Sequence, residues 1–393
     1  MSNYPKIYLD AAATTKPKQA VVEVVNKYLT EQWQNPSALY GAAVNVREDV
    51  ERARLTVAEY IHAEPEEIIF TSGGSESNSL AILGFLNQCL LSEKDMCFIT
   101  TTIEHKSILL AKEFIENTGH NRVREVRVDW DGFVSLPSLI ERIQSATSMY
   151  KNMRFLVSVQ MANNEIGTIQ DIRTIAEIVH ENGAYLHVDA VQAFGHINID
   201  VEELGIDMLS ASGHKLGAPK GSGFLYVKKG VEISPIIFGT QESGMRGGTE
   251  NVPYIMGLEM AIGLTKQRKY KEQMQNVVFC RDKLIQYFLN HGCKINGSLT
   301  ERLPNNVNVT LPNKLTGEAL IYMLSASGIC ISAGSACNTH SQSVSHVLKA
   351  INLSDEDAMR TIRITLPDDI TTADIDKFIC EIEKAVKILD VSA

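Results

Sequence analysis

The sequence predicts an α/β fold: a large domain on a mostly parallel, seven-stranded sheet flanked by helices, with a second, smaller domain beside it. Three observations carry that expectation. From Ile68 onward, short apolar runs alternate with segments of helical period, the pattern of strands buried on both faces and joined by crossover helices. The chain has 393 residues, more than the roughly 250–300 at which one hydrophobic core stops growing. Hydrophobic residues make up 44% and charged residues 21%, a globular balance rather than a disordered one.

The predicted strands are Ile68–Thr71, Met96–Thr101, Val123–Val128, Phe155–Gln160, Tyr185–Asp189 and Gly223–Val227, with another ending at Ser210-Ala211-Ser212. In such sheets function gathers at the carboxyl ends of the strands. Ahead of them, after the Asn35-Pro36 turn, Val44–Ile61 places Val46, Val50, Leu55, Val57 and Ile61 among charged residues, an amphipathic packing helix. Val252–Leu289 holds few breakers and reads as one long helical stretch bridging the two domains. The division expected is a large domain of 15–262 and a small one of 1–14 and 263–393. Thr372–Leu389 is a charged amphipathic helix with a solvated face. No repeat, Pro-rich linker or low-complexity tract interrupts the chain.

A net charge of -10 argues against direct nucleic-acid binding, which needs clustered Lys and Arg. The seven cysteines (Cys89, Cys97, Cys280, Cys293, Cys330, Cys337 and Cys380) are odd in number and lack a C-x-x-C pair. They fit neither a disulfide framework nor a metal site, so a reducing compartment is expected. Met1–Asp10 has no basic and apolar leader pattern, and no apolar run approaches the ~20 residues that span a bilayer. The expectation is a cytoplasmic protein without membrane contact.

Thr71-Ser72-Gly73-Gly74-Ser75-Glu76 follows a strand and opens a helix. Small residues let backbone amides approach an anion, and the helix amino terminus adds oriented N–H dipoles, so the segment reads as a phosphate cradle. No Lys follows the glycines, which weakens a nucleotide triphosphate reading. An ordinary Gly-rich turn is the alternative. Asp189 ends the apolar strand Leu186-His187-Val188-Asp189. A buried Asp there needs a partner, and a pyridinium N–H is one that would make a bound ring an electron sink; capping the next loop is the plainer role. Lys215, in Ser210-Ala211-Ser212-Gly213-His214-Lys215, lies among small residues at a strand end. Partial desolvation there can free its proton and let it condense with an aldehyde. Lys220, Lys228 and Lys229 read as solvated loop lysines.

Taken together, these elements resemble the class V aminotransferases among the fold-type I enzymes of pyridoxal 5'-phosphate. Further motifs narrow the resemblance to cysteine desulfurases of the NifS and IscS type: Tyr8-Leu9-Asp10-Ala11-Ala12-Ala13-Thr14-Thr15, Asn35-Pro36-Ser37, Glu104-His105-Lys106, Asn163-Asn164-Glu165-Ile166-Gly167, Arg246-Gly247-Gly248-Thr249-Glu250-Asn251 and Ser332-Ala333-Gly334-Ser335-Ala336-Cys337. The resemblance covers nearly the whole chain and implies a smaller domain of α+β type. It assigns Gly74, Ser75, Ser212 and His214 to the phosphate, joined by Thr249 from the other subunit of a homodimer. Asp189 would pair with the ring nitrogen, Asn164 and Gln192 would lie near the ring oxygen, and Lys215 would hold the cofactor covalently. His105 would stack over the ring and carry protons, a task suited to imidazole near neutral pH.

Arg363, in Thr361-Ile362-Arg363-Ile364-Thr365, would grip the substrate carboxylate with its planar fork, with Asn35 assisting; a structural ion pair is the other role open to it. Cys337 lies in a small, polar run suited to an exposed loop, whereas Cys97 and Cys330 read as buried strand residues. The activity implied is removal of sulfur from L-cysteine. It would yield L-alanine and a Cys337 persulfide that passes to an acceptor protein, an iron–sulfur scaffold or a tRNA-thiolating enzyme. Selenocysteine cleavage, another class V reaction and a non-catalytic sulfur-relay scaffold are the alternatives. Leu366-Pro367-Asp368-Asp369 and the run Asn338–His346 depart from the family pattern, leaving the acceptor open.

Overall fold

The computed structural model describes residues 6–117, 122–150, 152–312, 315–333 and 344–391. Strand β1 (Ile7–Tyr8) opens the chain, followed by β2 (Ile68–Thr71), β3 (Asp95–Thr101), β4 (Arg122–Val126), β5 (Met153–Gln160), β6 (Tyr185–Asp189), β7 (Met208–Ser212) and β8 (Gly223–Val227). Among the described residues, the last seven form one sheet in the order β2-β8-β7-β6-β5-β3-β4. Strand β8 runs antiparallel to both β2 and β7, and the remaining pairs are parallel. The expected mostly parallel sheet is therefore present.

Alternation along each strand explains how both faces are covered. Cys97 and Ile99 of β3 enter one core, whereas Met96 and Phe98 enter the other, because successive side chains leave a strand on opposite faces. The first core receives α1 (Gln19–Thr30) and α2 (Gly41–Ile61). The apolar side of α2 is Val46, Val50, Val57 and Ile61; Leu55 points outward. His62 ends α2 in the left-handed region at φ 59°. Helices α3 (Gly74–Leu91) and α4 (Lys106–Asn117) cover the opposite face, and α5 (Leu136–Met149) and α6 (Ile172–Glu181) return to the first.

The long helix expected over Val252–Leu289 is two helices, α7 (Val252–Thr265) and α8 (Arg268–Asn290), separated where Gln267 takes an extended backbone. The break falls where the buried face changes partner. Leu258, Ala261 and Ile262 of α7 pack into the first core, while Val277, Leu284 and Phe288 of α8 pack into a separate one. That separate core gathers β9 (Lys294–Ile295), β10 (Asn306–Thr310), β11 (Ile329–Cys330), β12 (Ser332–Ala333) and β13 (Thr361–Thr365). Its antiparallel sheet has the order β12-β13-β10-β9, and β1 pairs in parallel with β11. The amino-terminal segment is thereby stitched to the carboxyl-terminal part: Asp10 bridges Thr365, and Thr365 Oγ1 accepts from the Ala12 amide at 2.8 Å. The final helix, Thr372–Val391, buries Ile375, Phe378 and Ile382 in the same core. No helix among the described residues is long and apolar enough to cross a membrane.

Candidate active site

A cavity of about 320 Å³ opens at the carboxyl ends of β5, β6 and β7, and it gathers Gly74, Ser75, His105, Asn164, Asp189, Gln192, Ser212, His214, Lys215 and Arg363. A larger cleft of about 1350 Å³ lies across α2, β2 and residues 240–250 and holds none of these residues.

The anion end is built by the β2–α3 turn. Gly73 adopts φ 144°, in the region that glycine enters freely. A Cβ on Gly74 would stand 2.4 Å from Val191 Cγ2, so only glycine lets the backbone approach this closely. Helix α3 begins at Gly74 with no side-chain cap, leaving its first amides to an incoming anion. Arg246 fixes the turn from outside: its Nε donates to Glu76 Oε1 at 2.8 Å, while Glu76 Oε2 accepts from the Ser72 amide at 2.9 Å. Burial alone would raise Glu76, but these bonds and the Arg246 charge hold it below the usual carboxylate value. At the end of β7, Ser212 Oγ is buried without a hydrogen-bond partner, a cost that a bound oxygen would relieve. His214 Nδ1 lies 3.1 Å from Thr14 Oγ1. Burial and the neighbouring Lys215 and Lys220 push its imidazole down to about 4, so the ring is neutral at pH 7.

The opposite end is organised by Asp189, the last residue of β6. Its Oδ1 accepts from the Val191 amide at 2.9 Å and its Oδ2 from Asn78 Nδ2 at 2.8 Å. No cation is ion-paired to it among the described residues, so a buried carboxylate faces the cavity with only neutral donors. A charged heterocyclic N–H is the partner such a group needs. Asn78 also donates to Ser107 Oγ at 3.0 Å, and Ser107 reaches His105 Nδ1 through its hydroxyl at 2.8 Å and its amide at 3.2 Å. The amide can only donate, so Nδ1 is an acceptor and the neutral ring carries its proton on Nε2. Desolvation lowers the His105 pKa against the pull of Asp189.

Lys215 closes the short turn Gly213–Lys215 after β7. Its Nζ donates to the Ala12 and Ala13 carbonyls at 2.5 and 2.8 Å. Burial and the Arg363 charge push the ammonium down from 10.5 to about 8, against Asp10 and Asp189. Gln192 Nε2 donates to the same Ala12 carbonyl at 3.1 Å. Arg363 sits at the centre of β13. Its Nη1 donates to the Asn164 carbonyl at 3.1 Å and its Nη2 to Asp10 Oδ1 at 2.9 Å, while Nε is buried without a partner.

The residues present thus fit a phosphorylated, aldehyde-bearing heterocycle: an anion cradle with an unsatisfied hydroxyl, a partly deprotonated Lys and an Asp at the far end. Asn35 does not join them; it is exposed, and its Oδ1 accepts from the Ser37 amide at 2.9 Å to form a turn. Thr249 is also exposed and does not line the cavity of its own chain. Cys337 lies outside the described residues. Cys97 is buried as expected, but Cys330 is only half-buried, because β11 is a two-residue strand beside β1. His187 is buried between Ser158 Oγ and Ser210 Oγ at 2.8 and 2.9 Å, a packing histidine behind the site. Sequence reasoning passed over Asn78, Ser107 and Asp10. Asn78 was recoverable, since it lies four residues after Gly74 and so on the same face of α3.

The sequence profile of the aminotransferase class-V family matches residues 7–378. The cysteine desulfurase IscS of Methanosarcina thermophila is 41% identical over 98% of this chain and 92% of its own. Among solved structures, a NifS-like protein superposes with a TM-score of 0.88 at 33% identity, covering 98% of this chain and 99% of that one. SspA in complex with cysteine superposes at 0.78 with 35% identity, covering 92% and 99%.

Proposed function

Because this chain belongs to the class V aminotransferase family and is a pyridoxal phosphate-dependent cysteine desulfurase, we propose that the 320 Å³ cavity is where L-cysteine gives up its sulfur. The observation that carries the assignment is the convergence of a Lys lowered to about 8, a buried Asp held only by neutral donors and the uncapped α3 turn in one cavity. Gly74, Ser75, Ser212 and His214 hold the cofactor phosphate, Asp189 its ring nitrogen, Asn164 and Gln192 the ring's oxygen side, and Lys215 its aldehyde carbon. Bound there, the cofactor supplies an electron sink for chemistry at the substrate α-carbon.

The protein's own residues do the rest. Arg363 binds the substrate carboxylate with the N–H groups that Asp10 and Asn164 leave free. Lys215, lowered toward neutrality, takes and returns the α-proton at Nζ. His105, with its proton on Nε2 and Nδ1 engaged by Ser107, presents a donor to the cavity. The Cys337 thiolate takes the sulfur, forming an S–S bond as the C–S bond breaks, and the remaining fragment picks up a proton to become L-alanine. The persulfide then passes to an acceptor protein, an iron–sulfur scaffold or a tRNA-thiolating enzyme.

A homodimer supplies Thr249 to the neighbouring cavity, and the separate cores support the division into 15–262 and 1–14 with 263–393. The six described cysteines are unpaired, which supports a reducing compartment and a cytoplasmic site of action. Incubating the cofactor-loaded protein with L-cysteine and a dithiol will yield L-alanine and sulfide in equal amounts; pyruvate and ammonia would refute the reading. Cys337→Ala abolishes turnover and leaves the cofactor absorbance intact.

A further inference from the structure

The cavity brings two cationic side chains together, Lys215 and Arg363, and one carboxylate, Asp10, faces both. Arg363 Nη2 donates to Asp10 Oδ1 at 2.9 Å, with side-chain exposures of 12% for Arg363 and 21% for Asp10. The pair is therefore largely shielded from water, where a charge-assisted bond has more effect than on an open surface. The backbone of Asp10 is anchored on both sides. Its carbonyl accepts from Tyr8 Oη at 2.9 Å, the same hydroxyl reaches the Thr14 carbonyl at 2.8 Å, and Asp10 bridges Thr365, two residues beyond Arg363 on β13. The loop that carries Asp10 also presents the Ala12 and Ala13 carbonyls to Lys215.

We propose that Asp10 is a positioning residue for substrate recognition: it holds the Arg363 guanidinium in the cavity beside Lys215, so that the enzyme selects ligands bearing a carboxylate. This rests on the reading of Arg363 as the carboxylate grip. Without Asp10, Arg363 keeps one polar anchor, the Asn164 carbonyl at 3.1 Å, and its Nε remains without a partner. Repulsion from Lys215 then favours conformers that carry the fork away from the cavity. Asp10 opposes an incoming carboxylate electrostatically, but it occupies a single Nη2 hydrogen and leaves the others in place. Orientation outweighs that repulsion because a freed guanidinium must be reordered at each binding event.

The test compares L-cysteine with cysteamine, which lacks only the carboxylate. Cofactor-loaded wild-type and Asp10→Asn proteins are titrated with each, reading the visible cofactor absorbance under single-turnover conditions. The preference for L-cysteine falls about tenfold in Asp10→Asn, the size of one lost charge-assisted bond, while cysteamine affinity stays the same. In an Arg363→Ala background the Asp10→Asn change has no further effect on that preference, since the two residues act as one unit. A second readout needs no turnover: Arg363 lowers Lys215 more than Asp10 raises it, so a fork that leaves the cavity in Asp10→Asn moves the pH midpoint for pyridoxal phosphate capture by the cofactor-free protein upward, whereas a downward shift, the sign of a lost carboxylate with the fork still in place, overturns the proposal. If Asp10→Asn fails to fold, Asp10→Glu, which displaces the carboxylate by one methylene, must reduce the preference in the same direction. An unchanged or increased preference, or an Asp10→Asn effect that persists in full without Arg363, overturns the proposal. A wild-type protein that does not prefer L-cysteine over cysteamine overturns the reading of Arg363 instead.

Discussion

The depressed Lys215 ammonium makes a prediction that can be worked through before any substrate is added. Only a neutral amine condenses with an aldehyde. Lowering the group from 10.5 to about 8 raises its neutral fraction at pH 7 from about 0.03% to about 10%, roughly 300-fold. Cofactor-free protein mixed with pyridoxal phosphate in a stopped-flow spectrometer should therefore capture it at a rate that climbs tenfold per pH unit below about 8 and levels off above it. Lys215→Ala provides the background from the remaining lysines. The two leading causes of the depression are burial and Arg363, so Arg363→Gln should move the midpoint upward by removing the like charge. A rate that keeps climbing to pH 10, as a solvated lysine would give, would refute the view that burial prepares Lys215 for its task. So would a midpoint unmoved in Arg363→Gln.

Three further outcomes follow from named contacts. Gly74→Ala places a methyl group 2.4 Å from Val191 Cγ2; overpacking of about 1–3 kcal/mol should lower the melting temperature by several degrees, and the displaced turn should weaken cofactor binding in an absorbance titration. Asn78→Ala removes the 2.8 Å donor to Asp189 and the 3.0 Å link to Ser107, leaving a buried carboxylate short of a partner at about 1–3 kcal/mol. Cofactor dissociation should accelerate and the His105 titration followed by NMR should shift; an unchanged His105 resonance would show that the Asn78–Ser107–His105 chain carries no coupling. Glu104 is fully buried, accepts from Thr101 Oγ1 at 2.5 Å on one oxygen and has no partner on the other, and burial pushes it up to about 8. The folded state keeps this proton while the unfolded chain releases it near pH 4.5, so the group costs stability progressively as pH rises from about 4.5 to about 8. Denaturant titrations at pH 5, 7 and 8.5 should show a flatter slope in Glu104→Gln, which mimics the neutral acid.

The parts of this molecule that could be read from the sequence are those whose physics is local. A strand buried on both faces is an apolar run wherever it occurs, so β2 to β8 were visible from Ile68 onward, and the Gly73-Gly74 turn announces itself because no other residue allows that backbone approach. The break at Gln267 was not visible, since Lys266, Gln267 and Arg268 contain no helix breaker and the interruption arises from a change of core between α7 and α8. The candidate site divides in the same way. Asp189, Lys215 and Gly74 each sit at the end of a regular element, so position alone marked them as candidates, while the roles expected of them came from the resemblance to the class V aminotransferases. Asp10 and Ser107 act through distant partners: Asp10 meets Arg363 only because β1 is stitched to β11 and Asp10 to Thr365, and Ser107 matters only because α3 and α4 bring Asn78 beside it. Contacts between residues 353 positions apart, as in Asp10 and Arg363, leave no periodic trace in the chain. The charge balance of the cavity, on which the Lys215 proton depends, is therefore a property of the assembled fold: the carboxylate that moderates Lys215 and the guanidinium that opposes it arrive from opposite ends of the sequence.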